Sequence, residues 1–126
     1  MKYLLDTHVA LWVLKGESIS DKAKIVLDDV ALDVYVSIVS AWEIAIKISL
    51  GKLKYIGGAR AFLNDIKLNE FGLLGVKESH IEQVENLEYH HRDPFDRLLI
   101  ASAIAEDMIL ISADENIPQY NVNWLW

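Results

Sequence analysis

Apolar residues run along this chain in two rhythms. Short, almost continuous apolar runs at 2–6 (KYLLD), 33–37 (DVYVS), 72–76 and 108–112 (MILIS) read as buried strands, and NVNWLW at 121–126 as a last one. Between them the spacing turns helical: near 8–15, from a Ser20 cap through about Leu27, over 38–50, near 59–69 and near 79–87. A sixth helix, opened by Asp93–Pro94, carries LLIASAIA. Gly16 and Gly51 stand where the first and third helices have to stop. Strands separated by helices predict an α/β fold, with a mostly parallel central sheet covered by helices on both faces.

At 126 residues this is one domain, 1–126, with 52% hydrophobic residues to build its core. The chain has no cysteine, which rules out disulfides and thiolate metal sites. No uncharged apolar stretch, Leu98–Ala105 included, approaches the ~20 residues of a membrane span. Asp6 interrupts the apolar N-terminus, unlike a signal peptide, so a cytoplasmic protein is expected. The net charge of −7 argues against tight, non-specific nucleic-acid binding. Bound cations would reverse that charge locally, and any nucleic-acid contact would need its own basic patch.

The acids are the candidate chemistry. Asp6 ends the first strand and Asp114 falls two residues past MILIS. Ligands of open α/β sheets bind outside the carboxyl ends of strands, so neighbouring strands would bring these two together. Either acid taken alone reads more readily as a cap for the helix or turn that follows. Glu43 lies in a helix that is apolar nearly all round, on a thin stripe with Ser40 and Lys47. Ser40 and Glu43 fit a capping box. If Ser37 caps the helix instead, Glu43 lies inside it and needs a partner such as Lys47 or a metal. In HHRDPFDRLLIASA (90–103), Asp93 before Pro94 is an N-cap, and Asp96 at the third helical position is left for chemistry.

If these acids converge, each pair at 4 Å repels by ~4 kcal/mol at an effective dielectric of 20. That many hard oxygen donors suit Mg²⁺ or Mn²⁺, which activate water and stabilise a leaving oxygen in phosphodiester cleavage.

The chain resembles the PIN-domain ribonucleases, specifically the VapC-like toxins of toxin–antitoxin pairs, over essentially its whole length. LLDTHVALW, SAWEIAIKISLGKL, HHRDPFDRLLIASA and ISADENI carry the likeness in that order, and VNWLW looks like the end of this branch. The resemblance implies Asp6, Glu43, Asp96 and Asp114 as catalytic metal ligands, with Thr7 and Ser112 as polar neighbours of the acids. Ser112 stands where Thr is more usual. It implies a Mg²⁺-dependent endoribonuclease (Mn²⁺ able to substitute), a homodimer, and a small antitoxin protein that blocks the site.

Lys47, His91, Arg92 and Arg97, with His90, Lys52 and Lys54, are candidates for RNA-phosphate contacts or simply a solvated face. Trp12 and Trp42 suit core or interface, and their apolar helices offer a surface for an antitoxin segment. Two rivals stand beside this reading. A phosphoacceptor receiver domain fits the size, but DVYVS ends in Ser and no Lys follows residue 77. A PIN fold acting only as a binding or regulatory module keeps the acids without cleaving.

Overall fold

The computed structural model of the chain describes every residue except Val30. Its five strands are β1 (Lys2–Leu5), β2 (Asp33–Ser37), β3 (Gly72–Leu74), β4 (Ile109–Ile111) and β5 (Trp124–Leu125). All pair in parallel, in the order β3-β2-β1-β4-β5. The helices are α1 (Thr7–Lys15), α2 (Asp21–Asp28), α3 (Ile38–Ser49), α4 (Gly58–Leu68), α5 (Glu78–Glu85) and α6 (Pro94–Ala105). The sheet is strictly parallel, the natural outcome for β1 to β4, whose connections each carry two helices; β4 reaches β5 through a single 3₁₀ turn at Ile117–Gln119. Among the described residues no helix is long and apolar enough to cross a membrane.

Strand alternation divides the core. Tyr3, Leu5, Val34, Val36 and Ile111 face one layer, where Val9, Ala23, Ile44, Phe62 and Ile66 of α1 to α4 cover them. Leu4 and Leu110 face the other, against Leu99, Ile100 and Ala103 of α6. The chain moves from β1 outwards to β3 with helices on the first face, then returns to β4 with α5 and α6 on the second. Right-handed crossovers require that change of face when the direction of travel reverses. The reversal places a switch point between β1 and β4.

The caps follow the sequence closely. Ser20 accepts from Ala23 N–H, and Gly16 ends α1 with a φ of 74° that favours glycine. Ser37 accepts from Val39 N–H at 3.0 Å, so α3 starts there and Glu43 lies inside it. The capping-box alternative for Ser40 and Glu43 is therefore not used. Strands β3 and β4 are each three residues, shorter than the apolar runs suggest. Past Ile111 the chain turns at once, because Ser112 Oγ accepts from Asp114 N–H at 3.0 Å.

Candidate functional site

Register sets the site's floor. Leu5 is level with Val36 on one side and with Ile111 on the other. The next residues, Asp6, Ser37 and Ser112, therefore leave the carboxyl ends of three central strands side by side, and Asp6 N–H donates to Ile111 C=O at 3.0 Å.

Asp6 caps α1 and also lines the candidate site. Its Oδ1 accepts from Val9 N–H at 2.8 Å, and the residue is 6% exposed. Burial pushes its carboxyl above the usual range, against the opposing hydrogen bonds from Ser112 and Val9, and the Asp114 charge adds to the rise. Asp6 and Asp114 line one cleft of ≈ 290 Å³ with His8, Trp12 and Ala113. A larger cleft of ≈ 500 Å³, near Val13, Ile19, Leu27 and Phe71, contains none of the four acids.

Glu43 is buried, with one partner on each carboxylate oxygen. Thr7 Oγ1 donates to its Oε1 at 2.7 Å, and Lys47 Nζ lies 2.9 Å from its Oε2. Thr7 Oγ1 is also 2.9 Å from the buried Ser40 hydroxyl. Buried charge left unpaired costs several kcal/mol, which the lysine and the hydroxyl offset here.

Asp93 and Asp96 separate as their spacing suggests. Asp93 Oδ1 accepts from Phe95 N–H at 2.9 Å and Asp96 N–H at 3.1 Å, capping α6. Asp96 turns inward, and its carboxyl is pushed up to about 6. Burial is the main cause, followed by the Asp93 charge, with Asp114 and Glu43 adding to it and a His91 hydrogen bond opposing it. Among the described residues, donor atoms of His91, Asp96 and Asp114 all lie within 4.8 Å of one another. Asp6 and Glu43 stand around this trio rather than in it.

The residues present fit a hard divalent cation. Oxygen donors dominate, and two of the acids have carboxyls raised by burial and by neighbouring negative charge, which a cation would relieve.

The PIN domain family matches residues 3–123. The chain belongs to the PIN domain family. This PIN domain is similar in fold to VapBC2 from Rickettsia felis bound to a promoter DNA fragment, at a TM-score of 0.76 and 17% identity over 100% of this chain and 99% of that one. It also resembles VapBC-1 from nontypeable Haemophilus influenzae (TM-score 0.72, 18% identity, 99% and 97% covered). A third is VapBC-5 from Mycobacterium tuberculosis, of the VapBC family of toxin–antitoxin systems (0.62, 16%, 98% and 95%). No curated protein is similar enough in sequence to match. The family match sets the receiver-domain reading aside.

Within this PIN domain the expected basic patch needs correction. Arg97 is 4% exposed and cannot face phosphate. Its guanidinium donates to the carbonyls of Glu88 at 2.8 Å and Leu87 at 3.2 Å and to Tyr120 Oη at 3.1 Å. It also stacks on the Tyr89 ring at 3.8 Å. His91 is turned onto Asp96, with Nε2 3.1 Å from Oδ2. Lys47 is held by Glu43, while Arg92, Lys52 and Lys54 remain exposed. His91 as the neighbour of Asp96, and Tyr120 as the neighbour of His91, were not legible in the sequence. Tyr120 is 29 residues from His91, so no local pattern signals the contact.

Proposed function

We propose that this PIN domain is a Mg²⁺-dependent endoribonuclease and the toxin of a toxin–antitoxin pair. The observation that carries the reading is the gathering of Asp6, Asp96 and Asp114, with buried Glu43 beside them, at the switch point of a PIN fold. Asp6, Glu43, Asp96 and Asp114 would hold the cation, with Mn²⁺ able to replace Mg²⁺. When bound, the cation supplies an activated water and neutralises charge developing on the phosphodiester. Thr7 and Ser112 orient carboxylates, Thr7 through Glu43 and Ser112 through Asp6. Exposed Arg92, one residue before the Asp93 cap of α6, is the side chain we assign to the RNA backbone. Purified protein is expected to cut single-stranded RNA with Mg²⁺ or Mn²⁺ and to stop in EDTA. Cleavage that persists in EDTA, or RNA bound but never cut with metal present, would favour the binding-module rival.

The resemblance of fold to VapBC assemblies supports a protein antitoxin, acting where the RNA is made and used, in the cytoplasm. The cleft between Trp12 and Asp114 suits a partner segment that brings a basic side chain to the acids. Co-purification from the native operon tests this; a harmless protein recovered without any partner would count against it.

A second copy of the chain is the partner we assign to the Trp42 surface. Trp42 is 59% exposed and packs edge-on against Phe95 at 5.1 Å. Together with Val39, Ile81, Val84 and Leu98 it borders an apolar cleft of ≈ 210 Å³. Trp42→Glu is expected to turn a dimer into a folded monomer by light scattering. A wild type that is already monomeric would remove this assignment.

A further inference from the structure

We propose that His91 is a positioning residue for Asp96: a hydrogen-bonded chain from buried Arg97 and Tyr120 to half-buried His91 fixes the imidazole as its Nε2–H tautomer, which holds Asp96 Oδ2 and leaves Oδ1 for the cation. The proposal rests on the metal-site reading above, and concerns how one of its ligands is aimed.

Arg97 anchors the chain. Its charge is permanent, it has no acceptor atom, and the Leu87 and Glu88 carbonyls fix its direction. One of its N–H groups meets Tyr120 Oη at 3.1 Å. Two backbone donors meet the same oxygen, His91 N at 3.2 Å and His90 N at 3.3 Å. A phenol oxygen facing three donors has to send its own proton to an acceptor. Two acceptors lie within reach: His91 Nδ1 at 2.7 Å and the His91 carbonyl at 3.4 Å. The shorter contact takes the proton. A neutral ring nitrogen that accepts carries no hydrogen, so the ring proton sits on Nε2, 3.1 Å from Asp96 Oδ2.

The opposite arrangement has His91 itself binding the cation through Nε2. Nδ1 would then carry the proton and aim a fourth donor at Tyr120 Oη. The phenol proton would be left with the 3.4 Å carbonyl alone. Hydrogen bonding thus separates two roles that distance to Asp114 does not. Carboxylates that ligate metal are themselves commonly oriented by hydrogen bonds, and removing such a partner typically weakens metal binding about 10–100-fold.

The test uses the full chain in two measurements. Nitrogen–proton correlation spectra of the metal-free protein report the His91 tautomer, with His91→Gln giving the assignment. Calorimetric Mn²⁺ titrations then compare wild type, His91→Leu, His91→Gln and Tyr120→Phe, each checked for folding by circular dichroism. The expected results are an Nε2–H tautomer in wild type and Mn²⁺ affinity about 10–100-fold weaker in His91→Leu. His91→Gln, whose amide N–H can replace the Nε2 donor, recovers much of that affinity, and Tyr120→Phe gives a mixture of tautomers. An Nδ1–H tautomer, His91→Leu binding as tightly as wild type, or His91→Gln as weak as His91→Leu would each overturn the proposal. Should His91→Leu fail to fold, the wild-type tautomer and His91→Gln still decide. Wild type that binds no Mn²⁺ would sink the metal reading instead, while the tautomer still decides the relay.

Discussion

Asp96→Asn is expected to cut metal-dependent RNA cleavage by about 100-fold or more, the effect of losing ~3 kcal/mol of the stabilisation that a cation gives the transition state. Asp93→Ala, three residues earlier, is expected to leave the rate of the folded protein unchanged and to cost ~0.5–2 kcal/mol of stability. The two carboxylates sit on one helix turn, yet their contacts differ. Asp93 is spent on the Phe95 and Asp96 N–H groups, whereas Asp96 faces His91 and Asp114. Cleavage assays and urea melts on both variants make the comparison. Equal catalytic losses at the two positions would show that capping, not ligation, is what Asp96 contributes.

The second large effect is on stability, and it changes sign with metal. Folding raises the Asp96 carboxyl from 3.8 to about 6. Between those values the folded state holds a proton that the unfolded chain has released. Stability of the metal-free protein therefore falls as pH rises from about 4 to about 6 and stays lower above that. Allowing for solvent at a side chain that is 21% exposed, the penalty is about 1–2 kcal/mol. Asp6, raised in the same direction, adds to the slope. Mn²⁺ at one hundred times its Kd is expected to add ~2.7 kcal/mol near neutral pH. That gain fades below about pH 6 as protons compete for Asp96. Asp6→Asn keeps a good cap residue while discarding a buried charge. It should raise the metal-free melting temperature and lose most of the Mn²⁺ shift. If Mn²⁺ shifts neither protein and Asp6→Asn melts lower in EDTA, the acids are ordinary caps.

Much of this was readable from the chain because the informative residues act locally. Apolar runs and caps locate the strands and helices, and Asp93–Pro94 and Ser37 mark where α6 and α3 begin. Once β1 and β4 are neighbours, the positions of Asp6 and Asp114 follow from strand ends alone. Glu43 was legible as an acid inside an apolar helix that needed a partner, and Lys47 one turn later is that partner. What stayed hidden depends on contacts between distant segments. Arg97 reads as a surface cation beside Asp96, yet the carbonyls that bury it lie 9 and 10 residues back, and Tyr120 lies 23 residues on. The same tyrosine turns His91 away from phosphate and onto Asp96. Strand lengths were overestimated because apolar residues such as Met108 continue past the hydrogen-bonded ladder into the second core.

Crystals of the protein soaked in Mn²⁺ and measured at the manganese absorption edge test the central claim most directly. An anomalous peak among Asp6, Glu43, Asp96 and Asp114, in contact with the Asp96 and Asp114 carboxylates and lost in Asp96→Asn crystals, is the predicted result. No peak there at saturating Mn²⁺, or a peak that survives Asp96→Asn undiminished, would contradict the assignment of these acids to a metal centre.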